Sequence, residues 1–199
     1  NGFIWVYRDM QLVRRVSVLL LLTLLASAAS RAEQVPDPEL REVLRVAANS
    51  ADSFQDRFDA EVWLTDMSAR LARQVPDHDE RLEILTRVHY EASRAELPPE
   101  LVLAVIEVES NFDRFAVSVA GALGLMQVMP FWRNEIGRPD DNLIRIDTNL
   151  RYGCTILKFY LDKEKGDLRR ALGRYNGSLG KRKYPNKVID KLSTKWFQG

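Results

Sequence analysis

The chain has 199 residues, 46% of them hydrophobic and 29% charged, with 29 Lys+Arg balanced by 28 Asp+Glu. That is enough apolar chain for a domain with a core and too much for a disordered tail, while the balanced charge supplies no global basic excess to neutralise nucleic-acid phosphates. A single cysteine, Cys154, excludes an intrachain disulfide framework and a multi-thiolate metal site, and His78 and His89 lack the spacing of the usual zinc motifs.

Asn1 to Asp9 precede the first methionine and read as upstream or misplaced-start residues. From Met10 a basic start (Arg14, Arg15) leads into a 14-residue apolar run, Val16 to Ala29, followed by the small-residue segment Ser30-Arg31-Ala32. This pattern predicts a secretory signal peptide over 10–32; the run is short of the roughly 20 residues a membrane-spanning helix needs. Cleavage after Ala32 would remove Arg8, Arg14, Arg15, Arg31 and Asp9, leaving 25 basic and 27 acidic residues, a net charge of −2. The expected location is outside the cytoplasm: periplasmic, in the cell envelope, or secreted.

After a linker at Gln34-Val35-Pro36, Asp37 and Pro38 predict an N-cap and first helical residue, with a helix to about Ala48. Apolar residues at helical spacing predict further helices from about Ser53 to Arg73, broken by Pro76-Asp77, and from Asp79 to Ala95. A fourth opens at Leu97-Pro98-Pro99-Glu100, and from Leu101 to Val108 its only charge is Glu107. A helix apolar nearly all round belongs at a domain centre. Asn111 and Asp113 favour its termination. A Gly-rich segment from Val119 to Pro130 and a loop through Gly137-Arg138-Pro139 follow. Helices return at Ile146 to Glu164, Leu168 to Tyr175 and about Asn186 to Trp196. The fold class is mainly α, with residues 33–95 as an N-terminal helical extension and 96–199 as the main domain.

Glu109 stands out. It ends a buried apolar helix, where the negative end of the helix dipole and poor solvation both disfavour the carboxylate and raise the pKa. A carboxyl protonated near neutral pH is what general acid catalysis requires; the other reading of the pattern is a salt-bridged or surface-emerging Glu. Glu107, two residues away, points about 200° around the helix. The two cannot form one acid/base pair, and Glu107 is expected to be a buried structural ion-pair partner or an edge residue.

The residues that follow carry a resemblance. Glu109-Ser110-Asn111-Phe112, Ser118, Gly121-Ala122-Leu123-Gly124-Leu125-Met126-Gln127-Val128-Met129-Pro130, Asn149-Leu150-Arg151-Tyr152-Gly153, Tyr175-Asn176 and Tyr184-Pro185-Asn186-Lys187-Val188 occur in the order of the soluble lytic transglycosylase (SLT) domain, which they resemble from Leu97 to Trp196. The resemblance implies a lysozyme-like helical fold of the goose type and cleavage of the β-1,4 bond between N-acetylmuramic acid and N-acetylglucosamine in peptidoglycan. It implies Glu109 as the single catalytic residue, acid first and then base on the muramic C6 hydroxyl, giving a 1,6-anhydro product. Ordinary glycosidases need two carboxyls about 5–5.5 Å or 6.5–9.5 Å apart; an internal nucleophile lets one serve twice. Asp113, Asp140, Asp141 and Asp147 are the candidate second acids, with loop caps and turn formers as their expected role.

By the same resemblance, Ser118, Gly121, Met126, Gln127, Tyr175 and Asn176 are expected to bind substrate. Ser118 would orient polar groups of the muramic residue, or cap a helix. Gly121 would let the backbone pass close to the sugar or take up a positive φ; Met126 and Gln127 would line the cleft, Tyr175 would reach the catalytic carboxyl, and Asn176 would shape the cleft wall. The run Lys181-Arg182-Lys183 reads as a solvated loop, with a cleft-edge role toward anionic muramyl peptides as the alternative. No metal or organic cofactor is expected. The expected partner is the glycan strand of peptidoglycan, with no nucleic acid, and the expected state is a monomer. Two alternatives stay open: a lysozyme-type hydrolase on the same fold, and a non-catalytic peptidoglycan-binding or scaffold protein.

Overall fold

Apolar residues recurring every three or four positions give helices with one face to bury, and a short chain buries them by packing helix on helix. The computed structural model describes residues 57–197, so the expected signal peptide and the helix expected over 37–48 lie outside the described residues. Seven α-helices are present among the described residues: α1 (Arg57–Leu71), α2 (His78–Arg94), α3 (Pro99–Glu109), α4 (Trp132–Ile136), α5 (Ile146–Lys163), α6 (Leu168–Tyr175) and α7 (Lys183–Lys191), which runs on into a π-helical turn, Leu192–Trp196. Extended pairing comes down to two isolated antiparallel bridges, Val117 with Leu123 and Leu123 with Val128. The class is mainly α, as the sequence implies. No described helix is long and apolar enough to cross a membrane.

The all-round apolar helix takes the centre. Every residue of α3 from Leu101 to Ile106 is buried, with α2 packed on one side and α7 and the π turn on the other. α5 joins α2 to α6, and α6 in turn packs on α7. Asp77 caps α2 by accepting the Glu80 N–H at 2.8 Å. A buried Arg81 secures the α1–α2 turn, its Nε donating to Ser68 Oγ at 2.9 Å and its Nη1 to the Val75 carbonyl at 2.6 Å. Arg94, held by Glu91 of its own helix at 2.5 Å, links α2 to α5 through Thr155 Oγ1 at 2.9 Å. The two described helices before Leu97, α1 and α2, therefore share one core with those after it, and the described residues fall within a single compact unit.

Two boundaries differ from the sequence expectation. The loop expected through Gly137 contains the short helix α4. The last helix begins at Lys183, ahead of the expected Asn186, because Pro185 sits in its first turn, where a missing N–H leaves no helical bond unmade. Its end widens into the π turn that buries Trp196 completely.

Candidate active site

The site forms where α3 stops. Asn111 and Phe112 adopt the left-handed region, φ 51° and 68°, which no helix can continue through. For residues with a Cβ this costs about 1–2 kcal/mol each. Burial of Phe112 against Trp196, ring centroids 5.6 Å apart, offsets that cost. The abrupt stop leaves Glu109 at the helix end, facing two hollows.

The two carboxylates of the last turn part company as their spacing dictates. Glu107 is ion-paired to Lys191 at 2.8 Å and Lys195 at 3.1 Å, and accepts the Trp196 indole N–H at 2.8 Å. Burial alone would raise its pKa, but the two lysines, by hydrogen bond and charge, hold it below the usual carboxylate value. Glu109 has no ion-pair partner among the described residues. Tyr184 donates its hydroxyl to Oε1 at 2.6 Å, and the Asn176 side chain hydrogen-bonds the carboxyl as well. Both bonds favour the ionised form, yet burial outweighs them and the pKa is raised. Burial, with the Glu109 carboxyl nearby, also pushes the Tyr184 hydroxyl far above its ordinary value, so it stays a donor.

On one side of Glu109 lies a groove of about 240 Å³, lined by Ser118, Ala120, Ala122, Gln127, Val128, Met129, Trp132, Ile156, Tyr175 and Asn176. An apolar wall with a few placed polar groups is the ordinary makeup of a ligand site. Its floor is the Gly-rich segment, clamped at both edges. Ser110 Oγ donates to the Leu125 carbonyl at 2.8 Å, holding the segment to the end of α3. On the far side the buried Asn149 of α5 accepts the Met126 N–H at 2.8 Å and donates to the carbonyls of Leu123 and Leu143 at 2.8 and 2.7 Å. Gly124, at φ +71°, passes so close that an added Cβ would lie 2.5 Å from Asn149 Nδ2. One turn after Asn149, Gly153 leaves room for Met126, whose Sδ would be 2.3 Å from a Cβ there. The Asn149…Gly153 spacing thus places a hydrogen-bonding clamp and a gap on one helix face.

The expected substrate residues separate into wall and support. Gln127 is on the wall, but its Nε2 is already committed to the Ala116 and Gly124 carbonyls at 3.1 and 3.0 Å. Ser118 is also on the wall; its hydroxyl accepts the Ala122 N–H at 3.0 Å, so it caps a turn and no helix. Met126, expected in the cleft, is fully buried beneath it. Gly121 sits in the Ser118–Ala122 turn at φ +84°, between wall residues and not among them. Tyr175 lines the groove, but its hydroxyl donates to the Met126 carbonyl at 2.8 Å and not to Glu109. The tyrosine that holds the carboxyl is Tyr184. Its place in the terminal Tyr-Pro-Asn-Lys-Val run was the available signal, and sequence reading gave it no role. Asn176 contacts Glu109 and belongs to the walls on both sides. The four candidate second acids lie elsewhere. Asp113 caps a turn at Phe115, Asp141 accepts from Tyr152 at 2.5 Å, and Asp147 pairs with Arg145 at 3.1 Å; Asp140 borders neither hollow.

A family model described as the transglycosylase SLT domain matches residues 87–197. The chain belongs to that family. The match starts at Arg87, inside α2 and ahead of Leu97, where the motifs begin. A protein named transglycosylase from Enterobacteria phage PRD1 is 32% identical over 104 residues, covering 49% of this chain and 38% of that protein. Membrane-bound lytic murein transglycosylase C of Yersinia pestis (strain Pestoides F) is 31% identical over 124 residues, 53% of this chain and 35% of the relative. The protein of the same name from Actinobacillus pleuropneumoniae serotype 5b (strain L20) is 48% identical over 48 residues, 24% and 13% of the two chains. The matches thus span well under half the length of these relatives. Among solved structures, an inactive mutant of lytic transglycosylase Slt from Pseudomonas aeruginosa aligns with a TM-score of 0.44 at 21% identity, over 78% of this chain and 34% of that one.

Proposed function

We propose that this protein is a peptidoglycan lytic transglycosylase, with Glu109 as its sole catalytic carboxyl. The observation that carries the reading is a buried acid with a raised pKa at the meeting point of two hollows, neither of which has a second acid on its wall. The protonated Glu109 donates its proton to the oxygen of the bond between N-acetylmuramic acid and N-acetylglucosamine, and the C1–O bond breaks. The substrate's N-acetyl group stabilises the cationic C1. The carboxylate then removes the C6 hydroxyl proton as O6 closes on C1, which forms the 1,6-anhydro ring and restores the acid. Tyr184 and Asn176 steady the carboxylate that exists between the two steps. Ser118, Gln127 and the Trp132 ring offer the sugar polar and apolar contacts in the groove. Action in the cell envelope is supported by the signal-like start of the sequence and by relatives whose names include "membrane-bound".

Mass spectrometry of digested peptidoglycan tests the reading. Anhydro-muropeptides are the expected product. Products heavier by one water would assign a hydrolase, and binding without any product a non-catalytic wall protein.

A further inference from the structure

The second hollow beside Glu109 has its own chemistry. About 290 Å³ in volume, it shares Glu109 and Asn176 with the groove but is lined otherwise by Val108, Ser178, Tyr184 and three lysines, Lys181, Lys183 and Lys187. Lys183 and Lys187 sit one turn apart on α7, and Lys181 precedes that helix. Two other lysines of this terminal region, Lys191 and Lys195, are ion-paired to Glu107. The three in the hollow have no carboxylate partner among the described residues. The one acid on their wall is Glu109, whose burial favours its neutral form. The hollow is therefore edged by three exposed lysines of like charge, of which Lys187 also borders a neighbouring hollow with Glu107 and Asp190. Ser178 lines the hollow too, its hydroxyl oxygen buried and without a hydrogen-bond partner. Such a site suits an anion with several oxygen acceptors.

We propose that this hollow binds a carboxylate of the peptide carried by a muramic residue next to the bond being cut, so that the enzyme selects peptide-bearing strands over bare glycan. The proposal rests on the transglycosylase reading, because a strand with its scissile oxygen at Glu109 runs from the groove into the lysine-lined side. Lysines at a partly open wall attract through a screened field, with a range of about 8 Å at physiological salt, so the selection should fade as salt rises.

The test measures binding and cleavage separately, on the full chain. Glu109→Gln protein is titrated with glycan strands that keep their peptides and with strands stripped of them by an amidase, the lactyl carboxylates freed by that hydrolysis then being capped as amides. The expected result is about tenfold tighter binding of the peptide-bearing strands, a preference lost in Lys181→Gln/Lys183→Gln/Lys187→Gln protein and kept when the same three positions are Arg. Equal binding of both strands by the lysine-bearing protein, or a preference that survives the Gln triple substitution, overturns the proposal. Cleavage by protein with Glu109 intact is scored alongside. Selective binding without cleavage would overturn the enzymatic reading while leaving the anion site standing.

Discussion

Glu107 and Glu109 leave the same helical turn and meet opposite surroundings. Glu107 enters a region built of charge partners, with Lys191, Lys195 and the Trp196 N–H all aimed at it. Glu109 enters one where its hydrogen-bond partners are a phenol and an amide and where partial burial outweighs them. Identical side chains are thus driven in opposite directions, one toward permanent ionisation and the other toward keeping its proton. The difference teaches that the acid role is conferred by the neighbours of α3, above all by α7 and the turn after α6, and not by residue type.

The largest expected effect breaks the comparison at its catalytic end. Glu109→Gln keeps shape and hydrogen bonding but has no proton to give, and should lower muropeptide release by about 10³-fold, the ordinary scale of general acid loss. Next comes the structural end. Glu107→Gln leaves two lysines without their anion and should destabilise the fold by about 2 kcal/mol by urea unfolding, below the value for a wholly buried pair because both lysines are partly exposed. Tyr184→Phe removes a donor that favours the Glu109 carboxylate. The Glu109 pKa should then rise further, moving the alkaline limb of the rate–pH profile to higher pH with roughly a tenfold loss in kcat.

The smallest effect sharpens the comparison through stability. Glu109 binds its proton more tightly folded than unfolded, so its contribution falls as pH rises above the ordinary glutamate value of about 4.3. Glu107 is the reverse: its pKa is depressed, so its contribution is present above that value and lost as pH falls through the folded pKa. Melting curves from pH 3 to 8 should show Glu109→Gln protein gaining Tm over wild type toward neutral pH, while the deficit of Glu107→Gln narrows toward acid pH.

Much of the helical order was legible because apolar spacing reports burial directly: α2, α3, α5 and α6 lie within a residue or two of their expected limits, and α3 is central as its composition requires. That Glu107 and Glu109 face different surroundings was legible from angle alone; that Glu107 is an ion-pair partner and not an edge residue follows from Lys191 and Lys195. What the pattern could not carry was long-range pairing. Tyr175 and Tyr184 are both aromatic and near the same carboxyl, and only packing shows that one hydroxyl is taken by the Met126 carbonyl while the other meets Glu109. Met126 reads as a cleft residue in a motif, yet its place beneath the groove follows from Gly153, which lies far along the chain. The lysine hollow was likewise split between a visible run and Lys187, which joins it only through the helical turn of α7.

The fit between Met126 and Gly153 has a consequence for how this family can drift. With sulfur filling the notch that a missing side chain leaves, Gly153 is not free to change by itself. Bulk introduced on the α5 side must be surrendered on the loop side, so a relative with a larger residue at the Gly153 position should carry a smaller one at the Met126 position, and a library randomising Gly153 alone should return almost nothing but glycine.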